Sequence, residues 1–415
     1  MSNYTVGSLF AGVGGICLGF KQAGFDLAWS NEIDEYACET YRTNFEHLLV
    51  PGDIEKIVDL SLFDKEKAEY EQKINETSDL DEINKLKKLI DKCDWEKGQY
   101  KEKQQELLNH KIDVLNGGFP CQAFSLAGER KGFEDERGNL FLSIVKLIKL
   151  LDKTQGKPRV LFLENVKNLM GHDSGKTYEV IKGKLENLGY IIKEKVLNTM
   201  DYSHLPQNRE RIYIVGFLSE KDAANFTLFD GDNIKEHFIH KTKEDRIEDI
   251  KNILDDSINI EDDSKYYYTK EKYPKYFLSE EEYNVIPSDL KKDIRINLDE
   301  QITEPYQFYQ VRRGMYVRRN MSNVCPTLTA NMGTGGHNVA LIKVKDGIRK
   351  ITPTEAFRIQ GFPVGNSYKL PEKFNNRPYS DAQLYKQAGN AVSVNVIRFL
   401  AKEILKVLDK NRDYK

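Results

Sequence analysis

Cysteine is scarce and scattered: five in 415 residues, at 17, 38, 93, 121 and 325, odd in number and never spaced as a CxxC pair. That pattern points away from a disulfide framework and from a zinc site, so no metal is expected and each thiol stands alone. Long apolar runs are missing too. None reaches the roughly 18 residues needed to cross a bilayer, and the opening MSNYTVGSLF lacks the basic and then apolar regions of a secretory signal. A chain that stays in the cytoplasm, with no membrane partner, is expected. Positive charge is the third shortage: 62 Lys and Arg against 65 Asp and Glu leave a formal net charge of −3. Any polyanion must therefore be met by local clusters. The candidates are Arg312, Arg313, Arg318 and Arg319, then Arg209 and Arg211, Arg349 and Lys350, and Arg130, Lys131 and Arg137. Each one, taken singly, reads as a solvated face.

What is present is enough apolar residue, 40% of the chain, for a large core and two domains. Over the first 60 residues, β-type segments (TVGSLF, DLAWS) alternate with helical patterns from about Gly15 and about Asp34. The rhythm resumes with KIDVLNGGF, a helix over NLFLSIVKLIKLL, the strand RVLFLENV, a helix through TYEVIKGKLENL, and strands near 190 to 197 and 211 to 217. An α/β fold follows, with a twisted, mostly parallel sheet and helices on both faces. Between these halves, 61 to 112 is highly charged, with Leu80, Ile83, Leu86 and Ile90 at helical spacing. It reads as an inserted helical hairpin, a solvated arm whose second helix Ser78 would cap with Asp81 and Glu82. From about 218 the pattern turns irregular and rich in Tyr, Lys and Asp, which predicts a smaller domain of short strands. The ending VSVNVIRFLAKEILKVLDK predicts an amphipathic helix with Val394, Ile397, Leu400, Ile404 and Val407 on one face, packed back on the first domain.

Chemistry-bearing residues sit at the strand ends. Gly12, Gly14 and Gly15 follow the first strand and precede a helix, where a backbone can approach a ligand closely. The spacing is not the GxGxxG of a dinucleotide site. Glu32, at the end of the second strand, is placed to accept from ribose hydroxyls, and Asp53, in PGDIEK, from an adenine amino group. Singly, both are ordinary surface acids. Cys121 follows Pro120 in a glycine-rich turn after a strand, which suits a reactive thiolate better than a buried thiol. The strand RVLFLENV ends in Glu164 and Asn165 at the carboxyl edge of the sheet, so a thiolate and a carboxylate from neighbouring strand ends can act on one ring.

Taken in order, FAGVGG, GFPCQAFS, ENV, QNRERIYIVGF and QAGNAVSVNVI resemble the motifs of the DNA (cytosine-5)-methyltransferases. CPTLTANMGTGGHNVALI resembles the end of that family's target-recognition region. Five short motifs in order are far more specific than one. The resemblance implies a Rossmann-like S-adenosylmethionine-dependent methyltransferase sheet, built from residues 1 to 217 with the insertion at 61 to 112, and completed by 346 to 415. Residues 218 to 345 would form a smaller target-recognition domain. It also implies Cys121 as nucleophile on cytosine C6, Glu164 at N3 and the amino group, Arg211 at the base oxygen and Arg209 beside it.

By the same resemblance, S-adenosyl-L-methionine is held by Phe10, Gly12, Val13, Gly14, Glu32, Ile33, Asp53, Ile54, Pro120, Leu140, Asn390 and Val392. Double-stranded DNA is met by Gln122, Ser125, Thr327, Leu328 and the arginines 312, 313, 318 and 319. A cognate restriction endonuclease is the implied functional partner, and a monomer the default. The chain departs from the family at Ser8, where many relatives carry Asp, at Ala391, where Ser is common, and in the insertion. Rival readings are an RNA methyltransferase of the same fold, a non-catalytic DNA-binding relative, and a nicotinamide-dependent oxidoreductase. The last has only the glycine-rich turn in its favour.

Overall fold

The computed structural model describes residues 4–119, 140–288, 297–312, 316–320, 322–333 and 339–411. Pro120, Cys121, Gln122, Ser125, Arg130, Lys131, Arg137 and Arg313, all singled out above, lie outside the described residues. Among those described, β1 (Thr5–Leu9), β2 (Asp26–Glu32), β3 (Leu48–Pro51), β4 (Val114–Gly118), β5 (Val160–Val166), β6 (Ile191–Asn198) and β7 (Glu210–Phe217) form one sheet. Its order is β3-β2-β1-β4-β5-β7-β6. The first five in that order run parallel, β7 is antiparallel to β5, and β6 is antiparallel to β7.

Helices alternate with these strands: α1 (Gly15–Ala23), α2 (Glu35–Asn44), α3 (Ile54–Val58), α4 (Ser61–Glu76), α5 (Leu80–Leu108), α6 (Leu140–Thr154), α7 (Lys176–Glu186), α8 (Lys243–Ile253), α9 (Pro353–Ile359), α10 (Asp381–Asn390) and α11 (Val394–Lys410). The inner strands are apolar on both faces because both are covered. Val6, Val114 and Phe162 meet α1 and α11, while Leu9, Leu115 and Leu163 meet α3, α6 and α7. The stripe expected on the last helix is buried at all five positions, from Val394 to Val407.

The charged run forms the antiparallel pair α4 and α5, with Asp64 2.6 Å from Lys97 and Lys67 2.7 Å from Asp94. Such exposed pairs contribute at most about 1 kcal/mol each, so the hairpin is held mainly by buried Phe63, Leu86, Cys93 and Leu107. Its second helix is capped by Asp79, whose carboxylate accepts from the N–H of Asp81, and not by Ser78.

A second sheet joins β8 (Tyr267–Tyr268), β9 (Phe308–Arg312), β10 (Tyr316–Arg319), β11 (Leu341–Val344) and β12 (Gly347–Lys350), all antiparallel, in the order β10-β9-β11-β12-β8. Tyr268, Phe277, Leu298, Ile302, Tyr309, Val311, Leu341 and Ile348 form a core on one of its faces. Two structural features lie at the borders expected from sequence. A border at 345 falls in the turn between β11 and β12, which pair as a hairpin. Residues past 218 do not leave the first sheet at once: Phe226, Leu228, Phe229 and Ile234 pack in the core beneath α11.

Candidate active site

The carboxyl ends of β1 and β2 form one side of the site. Phe10, Gly12 and Gly14 all take positive φ (53°, 55° and 85°), which wraps the chain into a tight loop before α1. A Cβ on Gly14 would strike the Phe45 ring at 2.2 Å, whereas one on Gly12 would meet nothing within 4 Å. Gly14 is thus needed for packing, and Gly12 leaves open space. Glu32 borders that space: its Oε2 accepts from the N–H of Gly12 at 2.7 Å, and its Oε1 from Ile33 and Asp34 at 2.9 and 2.8 Å. Burial pushes this carboxyl up from its ordinary range, and the three N–H donors pull the other way.

Beside Glu32, the Ile33 side chain is 64% exposed, an apolar surface next to an acceptor that fits a nucleoside. Asp53 caps α3 with one oxygen, accepting from the N–H of Glu55 at 2.9 Å. Ile54, Val13 and Val392 are buried, and Leu140 is partly buried against the core. Val392 lies over Gly15, whose Cβ would come 2.9 Å from it, and Asn390 is exposed at the end of α10. Ser8 is fully buried, and its hydroxyl oxygen accepts from the Cys17 thiol of α1 at 3.2 Å.

The other side lies at the ends of β4, β5 and β7. Glu164 pairs in register with Gly118 on β4 and Tyr213 on β7, and Arg211 with Val166. Arg211 Nε stands 3.0 Å from Glu164 Oε1 in a largely buried ion pair, but the N–H is not aligned. Oε1 thus receives no hydrogen bond from the described residues, although it is buried. Gly118 leaves the room beside the other oxygen, since a Cβ there would come 3.1 Å from Oε2. Asn165 Nδ2 donates to the carbonyl of Phe119 at 2.9 Å, which fixes the backbone just ahead of position 121. A carboxylate oxygen left open among the described residues and an adjacent guanidinium together suit a planar, polar ring.

Arg209 does not join this pair. Its guanidinium is buried and donates to the carbonyls of Leu328 (2.9 Å), Ala391 (2.6 Å) and Gly389 (3.4 Å). Burial, and then Arg211 beside it, push it down to about 9, still charged at neutral pH. The same joint takes up the Thr-Leu pair: Thr327 donates to the carbonyl of Asn208 at 2.6 Å, and the N–H of Leu328 donates to Gln207 Oε1 at 3.3 Å.

Above the joint opens a cleft of about 410 Å³ lined by Arg312, Arg318, Gln310, Asn320, Thr327 and Thr329 among others. Gln310 and Arg318 are register partners, so with Arg312 they share the face of β9 and β10 opposite the Tyr309 and Val311 core. Arg319 points the other way and binds Glu304 at 2.6 Å and Gln307 at 3.3 Å.

A family model described as C-5 cytosine-specific DNA methylase matches residues 4–76 and 70–406. The type II methyltransferase M.Bsp6I of Bacillus sp. (strain RFL6) is 41% identical over 405 residues, 97% of this chain and 98% of that protein. The chain belongs to the C-5 cytosine-specific DNA methylases. The type II methyltransferase M.HaeII of Haemophilus aegyptius is 32% identical over 409 residues, 99% of this chain and 95% of that one. The solved S. pombe Dnmt2 methyltransferase has the same fold, with a TM-score of 0.59 at 18% identity, over 98% of this chain and 100% of that one.

The protein is thus a DNA (cytosine-5)-methyltransferase with the Rossmann-like sheet of the S-adenosylmethionine-dependent enzymes. Asn165, legible in sequence as a polar strand end, anchors the Phe119 carbonyl, and two further residues were not singled out by the sequence. Gln207 donates from Nε2 to Ile359 and Gln360 while it holds Leu328. Gly389 lies so close to the backbone of Thr329 that a Cβ would come within 2.2 Å of it. A glycine inside a helical pattern was the available signal for the last. Among the described residues, no group of three His, Cys, Asp or Glu is placed to hold a metal, and no helix is long and apolar enough to cross a membrane.

Proposed function

We propose that this enzyme methylates C5 of a cytosine within a short specific site in double-stranded DNA, as a cytoplasmic monomer, and so protects that DNA from a cognate restriction endonuclease. The observation that carries the catalytic reading is the buried Glu164–Arg211 pair at the strand ends beside the segment that leads to Cys121. A ring inside a duplex is out of reach of a thiolate, so the target base swings out, at about a few kcal/mol of unstacking. The Cys121 thiolate forms a bond to C6, while Glu164 holds the exocyclic amino group and gives N3 a proton, and Arg211 holds the base oxygen. C5 becomes a carbon nucleophile and gains the methyl group; loss of the C5 proton to a base then breaks the sulfur–carbon bond and restores Cys121.

S-adenosyl-L-methionine, when bound, supplies the electrophilic methyl. Glu32 would take its ribose hydroxyls, Asp53 its adenine amino group, and Ile33 a face of the ring, with Phe10, Gly12, Val13, Gly14, Ile54, Pro120, Leu140, Asn390 and Val392 around them. DNA would be met from the cleft by Arg312 and Arg318, with Arg313, Gln122 and Ser125 from the neighbouring segments. Arg209, Thr327 and Leu328 are assigned to holding the second sheet over the site, and Arg319 to supporting it. The test is transfer of labelled methyl to unmethylated DNA and to transfer RNA, wild type beside Cys121→Ser, with the product base identified. The expected result is 5-methylcytosine in DNA only, lost on substitution. Label confined to RNA would move the enzyme to an RNA substrate, and label in neither would end the catalytic reading.

A further inference from the structure

The charged hairpin reaches the cofactor side of the sheet. Tyr100, on α5, accepts the backbone N–H of Asp53 with its hydroxyl oxygen at 3.3 Å. The preceding Gly52 has φ +140°, and a Cβ there would come 3.2 Å from both the Tyr100 hydroxyl and Lys103 Nζ. On its other flank the same turn is tied to β2: the Gly52 N–H donates to the carbonyl of Glu32 at 2.8 Å, and Asn31 Nδ2 donates to the carbonyl of Gly52 at 3.0 Å. Gly52 and Asp53 are therefore held between the strand that carries Glu32 and the inserted helix.

The support is itself well held. The Tyr100 ring leans on buried Phe63 at 5.2 Å, and Lys103 Nζ stands 4.6 Å over the Tyr100 ring. One turn further along α5, Gln104 donates to the carbonyl of Ile57 at 2.6 Å, so the helix that Asp53 caps is gripped at both ends.

We infer that the hairpin is a brace for the adenine end of the cofactor site, with Tyr100 as a positioning residue that aims the Asp53 carboxylate. The inference rests on the reading that Asp53 accepts the adenine amino group. A carboxylate on a short turn selects its ligand only while the turn is fixed to a few tenths of an ångström, and the side chains behind it do that fixing. A solvated arm with no role would have no reason to place a hydroxyl on the one backbone N–H that precedes this carboxylate.

Equilibrium dialysis with S-adenosylmethionine, S-adenosylhomocysteine and S-inosylhomocysteine tests it. Tyr100→Phe should raise the Kd for S-adenosylmethionine about three- to tenfold, the range of one lost hydrogen bond. The preference for the adenine over the hypoxanthine analogue should fall with it. In turnover, KM for S-adenosylmethionine should rise by the same factor while kcat at saturating cofactor holds, and Trp95→Ala, exposed on the same helix, should change none of these. The thermal midpoint without cofactor checks folding, and faster amide exchange over residues 52–58 of the unliganded variant would report the loosened turn. A Kd within twofold of wild type with the adenine preference intact overturns the inference alone. Failure of the wild-type protein to bind S-adenosylmethionine overturns the cofactor reading itself.

Discussion

Glu164 holds a buried carboxylate oxygen 3.0 Å from a guanidinium that does not aim an N–H at it. Among the described residues nothing completes this acceptor, and such an opening is costly unless a partner does. Glu164→Gln keeps the shape and removes the acid, so kcat should fall about 10²- to 10⁴-fold with cofactor affinity unchanged; a loss under tenfold would assign the proton elsewhere. His47 gives a second prediction at this scale. Its Nε2 meets Ser30 and Tyr41 at 3.0 and 2.8 Å, and burial, then the charge of Lys21, push it down to about 4.

The unfolded chain takes up that proton near the ordinary histidine value of about 6.5, so it binds more protons than the folded chain between there and about 4. Stability from His47 is therefore complete above pH 6.5 and is lost as pH falls through that window. Thermal midpoints taken across the window should decline less steeply in His47→Gln than in wild type. Glu164 was legible as a strand-end acid, and the resemblance set Arg211 at the base oxygen, but what Arg209 beside it would hold was not legible. They stand two apart at the start of one strand, and only the chain around 328 and 389–391 decides which guanidinium is enclosed by carbonyls.

At the level of elements, the decisive contact is the joint where residues 206–209, 325–329 and 389–391 meet. The N–H of Cys325 donates to the carbonyl of Pro206, and that of Asn208 to the carbonyl of Cys325, at 2.6 and 2.8 Å. Arg209→Lys leaves buried carbonyls that one ammonium cannot reach together, and urea unfolding should show a loss of about 2–3 kcal/mol. Gly389→Ala drives a methyl into the backbone of Thr329, which has no rotamer to escape through. It should cost about 3 kcal/mol or more, and an effect below about 0.5 kcal/mol would mean that the loop yields freely. Local pattern foretold α11 well, because burial of one face repeats every three or four residues, whereas in the hairpin the same spacing marked a helix but not its buried face, since Leu86 is buried and Leu80 is 74% exposed. It misplaced the cap of α5 by one residue. The apolar residues after 218 carry no mark of which core they join, and nothing local distinguished Tyr100 from other tyrosines.

Taken whole, a molecule with a formal charge of −3 has no general attraction for DNA, so on the proposed reading its hold would depend on the cations that face the cleft. Arg312 and Arg318 share that face, whereas Arg319 is bound to Glu304 and Gln307. Alanine at both 312 and 318 should weaken binding of a cognate duplex at least tenfold in a gel-shift titration. The slope of log Kd against log salt should fall by about 0.9 for each that meets a phosphate. Arg319→Ala should instead lower the melting temperature with a smaller change in affinity, and an equal loss for all three would contradict the assignment.

The Tyr4 hydroxyl donates to the carbonyl of Leu408 at 2.7 Å, and α11 covers the face of α1 behind the glycine loop. The ribosome therefore makes the glycine loop and α1 hundreds of residues before the helix that covers them. Ile16, Phe20 and Ala23 wait for Ile397, Leu400 and Ile404 to be made, and a truncated chain would expose the patch that those residues bury. An unfinished copy should therefore be the more adhesive of the two, and limited proteolysis should cut it where the finished chain is closed.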